Sequence, residues 1–168
     1  MIESFYPIVI FVVNVRIIQT LSSMLFQFIG GMMGSSSKLR VIVFEDDIAM
    51  SDLFRKVLQG YGCEVQAYPD PTACAVFNKP ECDCPMDRAC ADVLITDFNM
   101  PNMNGVELLR LQRKRGCKAL DANKALMSAM TTPRQQAAVK ELGCHFFRKP
   151  FKLSEIKQWI EGCAERIT

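Results

Sequence analysis

Glu45, Asp46 and Asp47 follow one short apolar run, Asp97 closes another, and Ser128 and Lys149 stand at the ends of two more. Carboxylates crowded together repel one another unless a hard cation binds them, and oxygen ligands with room for water suit Mg²⁺. A lysine opposite supplies fixed positive charge, and a serine hydroxyl supplies a donor. Together they describe a site for a phosphoryl group: Asp97 as nucleophile, Mg²⁺ and Lys149 neutralising the transferring oxygens, and Ser128 bonding one of them. The sequence has no Walker-type glycine loop, so the donor is expected to be something other than a nucleotide held in a cleft of this chain.

These residues meet only if the runs that carry them lie side by side. Residues 40–44 (RVIVF) read as a strand buried on both faces, and further strands are expected at 64–68, 93–96, 125–128 and 145–148. Between and after them, helices are expected at 49–60, 71–78, 104–115, 133–142 and 153–167. The first places Met50, Leu53, Phe54, Val57 and Leu58 on one side, and the last spaces Leu153, Ile156, Ile160, Cys163 and Ile167 by threes and fours. Five βα units in succession argue for an α/β fold, a parallel sheet covered by helices on both faces. Ligands bind such sheets at the carboxyl ends of the strands, the rim where Glu45, Asp46, Asp97, Ser128 and Lys149 collect. Plainer roles stand beside these: Asp47 as a solvated turn residue, Ser128 as a helix cap, and Arg113-Lys114-Arg115 as a solvated helix end favoured by the helix dipole.

The chain has 168 residues, 49% hydrophobic and 23% charged, with a formal net charge of +2. A disordered or polyanion-wrapping protein is disfavoured by that balance, and no nucleic-acid partner is expected. Residues 1–37 carry only Glu3 and Arg16 as charged groups. Three readings of this apolar leader are open: a membrane anchor through residues 5–33, a partner-binding helix, or a misassigned start with translation beginning at Met32 or Met33. An Arg inside a span costs about 2.5–3.5 kcal/mol, which the flanking apolar residues could offset. The glycines and serines of 30–37 make a flexible junction, so the domain boundary is placed there, with the working domain at 38–168.

Over residues 38–166 the sequence resembles the receiver domain of bacterial two-component response regulators. The segment from Asp97 to Gly105 has the family's D-x-x-M-P-x-x-x-G form, Ser128-Ala129 its Ser/Thr-plus-small pair, and Lys149-Pro150-Phe151 its K-P-F signature. The resemblance implies a flavodoxin-like (βα)5 doubly wound sheet with strand order 2-1-3-4-5. It implies that Asp46 ligates Mg²⁺ directly, Glu45 through water, and Asn99 through its backbone carbonyl, with Asp97 as phosphoacceptor. Phe146 takes the aromatic switch position without a hydroxyl to donate, and the Lys149–Pro150 bond is expected to be cis. A histidine kinase or histidine phosphotransfer protein is then the expected donor. Ser128 moves toward the phosphoryl group, Phe146 turns inward, and a face at about 133–167 is reshaped for a downstream target. With the chain ending at Thr168, a stand-alone cytoplasmic receiver is expected, with no enzymatic activity beyond taking and slowly hydrolysing the phosphoryl group.

The departure from that family is the stretch 80–91 (PECDCPMDRACA), where Cys82, Cys84 and Cys90 make a C-x-C-x₅-C spacing. Cys63, Cys117 and Cys144 each follow a glycine ahead of an expected strand, on the edge opposite the phosphoryl site. With the implied strand order, Cys90, Cys117 and Cys144 begin adjacent strands, and Cys82 and Cys84 could fold back over them. A second reading is therefore a thiolate site for Zn²⁺ or another metal, or a redox sensor, which His145 joins if its side chain points the same way. Cys74 and Cys163 read as helix core positions.

Overall fold

Strand residues at odd and even positions point to opposite faces, and in Arg40–Phe44 (β1) every residue after Arg40 is apolar, so this strand needs cover on two sides. The computed structural model describes residues 38–74, 89–130 and 132–167. Beside β1 lie Glu64–Tyr68 (β2), Val93–Asp97 (β3), Lys124–Ser128 (β4) and His145–Arg148 (β5), all parallel, in the order β2-β1-β3-β4-β5. The registers pair Val41 with Val93, Leu94 with Lys124 and Ala125 with His145, so the carboxyl ends share one rim. This is the doubly wound flavodoxin-like order expected from the sequence.

Helices Ile48–Gly60 (α1), Gly105–Lys114 (α2), Pro133–Leu142 (α3) and Leu153–Glu165 (α4) cover the sheet. One core layer joins Val41, Val43, Ile95 and Met127 to Phe54 and Leu58 of α1 and to Ile156, Trp159 and Ile160 of α4. The other joins Ile42, Phe44, Leu94 and Leu126 to Leu108 and Leu109 of α2 and to Ala138 and Leu142 of α3. Each such side chain contributes roughly 1.5–3 kcal/mol on burial, against at most about 1 kcal/mol for an exposed pair. The apolar stripe of α4, and not its Lys157–Glu161 pair at 3.8 Å, therefore holds that helix down.

Helix ends are set by local chemistry. Asp47 caps α1 by accepting from the Met50 N–H at 2.8 Å, so it is a cap and not simply a solvated turn residue. Asn104 and Glu107 form a reciprocal capping box at the start of α2, as do Thr132 and Gln135 at the start of α3. Gly143, at φ 63°, ends α3 in the left-handed conformation that glycine adopts without steric cost.

The expected helix at 71–78 is corrected where it is described. Asp70 caps a single 3₁₀ turn, Pro71–Ala73, and Cys74 is already extended at φ −85° and ψ 122°. Cys74 is thus buried core outside a helix, whereas Cys163 is helix core as expected. Positions 75–78 lie outside the described residues, as do residues 1–37 and with them every reading of the leader. No described helix is long and apolar enough to cross a membrane.

Candidate functional site

The backbone builds the rim before any side chain acts. Glu45 N–H donates to the Tyr68 carbonyl at 3.0 Å, Phe98 N–H to Met127 O at 2.8 Å, and Lys149 N–H to Ser128 O at 2.8 Å. Each residue just past a strand is thereby tied to the neighbouring strand. Gly105 closes the loop after Asp97, its N–H reaching Phe98 O at 3.0 Å. A Cβ there would collide with the Asp97 carbonyl and come to 2.6 Å from Leu126 Cδ1, so the glycine of the motif lets α2 start against the end of β3. Asn102 takes φ 66° in the same loop, and the Lys149–Pro150 bond is cis, as the resemblance implied.

On this rim Glu45 and Asp97 are buried and Asp46 is exposed, and one carboxylate oxygen from each lies within 4.8 Å of the others. Lys149 Nζ sits between two of them, 2.6 Å from Asp97 Oδ1 and 2.8 Å from Glu45 Oε2. The second oxygen of Asp97, Oδ2, accepts from the Asn99 N–H at 2.8 Å. Burial pushes the Glu45 carboxyl above its ordinary range, with Lys149 opposing it. Burial pulls the Lys149 ammonium down, but the hydrogen bonds from Asp97 and Glu45 outweigh that and carry it above its usual value.

Three carboxylates facing one ammonium leave the pocket with an excess of negative charge, and every donor is a hard oxygen. That set fits Mg²⁺, with Asp46 on the solvent side where a hydrated ion arrives. Lys149 and such a cation together would supply the positive charge that the oxygens of a transferred anion need.

The structure brings Glu45, Asp46, Asp97 and Lys149 together. Ser128 ends β4 on the same rim, but its hydroxyl is engaged within its own turn, donating to Met130 O at 2.8 Å and accepting from Met130 N–H at 3.3 Å. Helix capping, the plainer role for Ser128, belongs to Thr132 instead. Phe146 is half-buried against the layer containing Ala138 and Leu142.

The cysteine site is not assembled among the described residues. Cys82 and Cys84 lie outside them, and Cys90 is half-buried ahead of β3. Cys117 does not begin a strand: Asp121–Asn123, a 3₁₀ turn, intervenes before β4. Cys144 is buried in the layer of α2 and α3, and burial pushes its thiol up to about 11. His145 points the other way, its ring stacked on Trp159 of α4 with centroids 5.5 Å apart. The chain's histidine therefore does not join the cysteines, and zinc gains no support. Among the described residues the acidic rim is the group of metal-binding side chains.

One sequence reading is corrected, the solvated helix end at Arg113, and one residue, Gln135, was not singled out. Arg113 is no free helix end: its guanidinium reaches Leu142 O at 2.7 Å, Glu141 O at 3.0 Å and Asp121 Oδ2 at 2.7 Å. Gln135 is buried at 6% exposure; its Oε1 accepts from Thr132 N–H at 2.8 Å and its Nε2 reaches Ser128 Oγ at 3.5 Å. The Thr132-Pro133-Arg134-Gln135 spacing is a capping-box signal that could have drawn attention to it.

A family model described as the response regulator receiver domain matches residues 41–161. The chain is 27% identical over 135 residues to the transcriptional regulatory protein TrcR of Mycobacterium tuberculosis, covering 77% of this chain and 47% of that protein. It is 34% identical over 115 residues to the transcriptional regulatory protein FlgR of Helicobacter pylori, covering 68% of this chain and 26% of that protein. The receiver domain of the Francisella response regulator 1452 superposes with a TM-score of 0.63 at 20% identity, covering 78% of this chain and 100% of the other, a likeness of fold. The chain spans about half or less of the length of these two curated relatives.

Proposed function

This chain belongs to the receiver-domain family of response regulators, and on that premise we propose that Asp97 is its phosphoacceptor, taking a phosphoryl group from the phosphohistidine of a histidine kinase or phosphotransfer protein. The observation that carries the reading is Lys149 Nζ at 2.6 Å from Asp97 Oδ1 inside a pocket that also holds Glu45 and Asp46.

The Asp97 carboxylate attacks phosphorus; a P–O bond forms as the donor's P–N bond breaks, and the leaving imidazole nitrogen keeps the electron pair and takes a proton from water. Glu45, Asp46 and Asp97, with the Asn99 carbonyl, would hold Mg²⁺, which would supply charge neutralisation for the phosphoryl oxygens. Lys149 holds a proton throughout and releases one of its two carboxylate partners to meet the new oxygens. Asn99 N–H fixes Asp97 Oδ2, which leaves Oδ1 facing Lys149. Ser128 turns its hydroxyl to a phosphoryl oxygen, and Phe146 follows inward. Hydrolysis of the acyl phosphate returns the carboxylate. Residues 38–168 act as the receiver unit on the cytoplasmic side, and output is a change of protein partner at the face built from 133–167.

The test is mass spectrometry of the chain incubated with acetyl phosphate and Mg²⁺. One phosphoryl mass is expected, absent without Mg²⁺ and absent in Asp97→Ala. No gain under conditions that label another receiver would overturn the proposal.

A further inference from the structure

A hydroxyl has one proton and two lone pairs, and Ser128 has committed all three. Its proton goes to Met130 O at 2.8 Å, and its lone pairs accept from Met130 N–H at 3.3 Å and from Gln135 Nε2 at 3.5 Å. If Ser128 is to donate to a phosphoryl group on Asp97, it must first release the Met130 carbonyl. The oxygen then swings out of the turn that Gln135 addresses.

Gln135 cannot ignore that movement. At 6% exposure its amide has little access to water, and a buried N–H that loses its acceptor must find another or move. Its other end is fixed in the helix cap, with Oε1 on Thr132 N–H at 2.8 Å and its own N–H on Thr132 Oγ1 at 3.2 Å. One side chain thus joins the switch hydroxyl to the first turn of α3.

The two ends of α3 differ in their freedom. The last turn is clamped by Arg113 on the carbonyls of Glu141 and Leu142, and by Arg110 on the Glu141 carboxylate at 2.6 Å. The first turn borders an open groove of about 320 Å³ between α2 and α3, lined in part by Phe98, Val106, Thr132 and Gln135.

We infer that Gln135 is the positioning residue that converts the state of Ser128 into the position of α3, which pivots at its clamped Leu142 end while the Pro133 end moves into or out of the groove. The inference rests on the phosphoacceptor reading above and adds its internal transmission. Gln135 does no chemistry; it acts through Ser128.

The experiment compares backbone amide NMR spectra of wild type and Gln135→Glu, each with and without acetyl phosphate and Mg²⁺, with phosphoryl mass measured on the same samples. Glu at this position keeps the capping acceptor for Thr132 N–H but has no amide N–H for Ser128. Expected is equal phosphorylation of both chains, with amides 134–137 shifting in wild type and the ratio of shifted to unshifted α3 falling about fivefold or more in Q135E. A merely structural role would lower the melting temperature and leave that ratio alone. Equal α3 shifts in the two chains overturn the inference, as does a phosphorylated wild type whose α3 stays still. Failure of wild type to gain the phosphoryl mass instead brings down the phosphoacceptor reading. If Q135E does not fold, Ser128→Ala removes the same contact from the other side. Amides 134–137 are then expected to shift without phosphodonor, and amides at their wild-type positions overturn the inference.

Discussion

Lys149 balances two demands that pull in opposite directions. Burial disfavours its charge, yet Asp97 Oδ1 at 2.6 Å and Glu45 Oε2 at 2.8 Å require it. Truncating it to Ala leaves Glu45, with a side chain 2% exposed, as a carboxylate without its cation. Removing one partner of a buried pair is costly, and since Lys149 itself is partly exposed we expect a loss of about 2 kcal/mol near neutral pH. Mg²⁺ brings back the missing positive charge, so its addition is expected to raise the urea midpoint of Lys149→Ala more than that of wild type. An equal or smaller Mg²⁺ effect would show that the carboxylates do not share one ion. Asp97→Ala, by contrast, is expected to abolish phosphorylation while leaving Lys149 with Glu45 as its partner.

At the scale of elements, α3 is held by contacts that no local pattern announces. Arg113→Ala removes charge-assisted bonds to two terminal carbonyls and to Asp121, worth about 1 kcal/mol in this half-exposed setting. Hydrogen exchange in the last turn of α3 is expected to speed up by about fivefold, with the turn capped by Thr132 little changed. The same contrast explains what was legible in the sequence. The strands could be read because central runs such as RVIVF are largely apolar on both faces while the edge run EVQAY alternates, and the periodic helices followed. The acidic rim was legible because parallel strands deliver their carboxyl ends to one place, so Glu45, Asp97 and Lys149 needed only their positions after strands. Arg113 was read as a solvated helix end because its partners depend on how α2 meets α3, and although the Thr132–Gln135 spacing announces a cap, the reach of Gln135 to Ser128 depends on how the chain runs from β4 into α3. Residues 71–78 misled for another reason: Asp70-Pro71 is a genuine helix-start signal, but Cys74 turns extended after one turn. The cysteines misled through facing: Cys144 and His145 are adjacent in sequence and point to opposite layers.

At the scale of the whole molecule, titration links the far end of the sheet to stability. Partial desolvation against its neighbours and the nearby Arg166 hold His145 below its ordinary 6.5, so the unfolded chain takes up a proton more readily than the folded chain. Unfolding free energy is therefore expected to fall as pH drops from about 6.5 through the lower folded value. In His145→Phe, which keeps an aromatic ring beside Trp159, that part of the slope should vanish in denaturant titrations at successive pH values. A slope unchanged by the substitution would assign it to other groups. The same stack has an optical consequence. Trp159 is the single tryptophan of the chain, 9% exposed, face to face with His145 and edge-on to Phe147 with centroids 5.5 Å apart. Its emission therefore comes from one known place, the seam between β5 and α4, and a protonated imidazole quenches indole fluorescence. Intensity should drop as His145 charges, and any partner that settles over this seam should shift the spectrum. The protein carries its own fluorophore on the face where its output is expected, so binding there can be followed without attaching a dye.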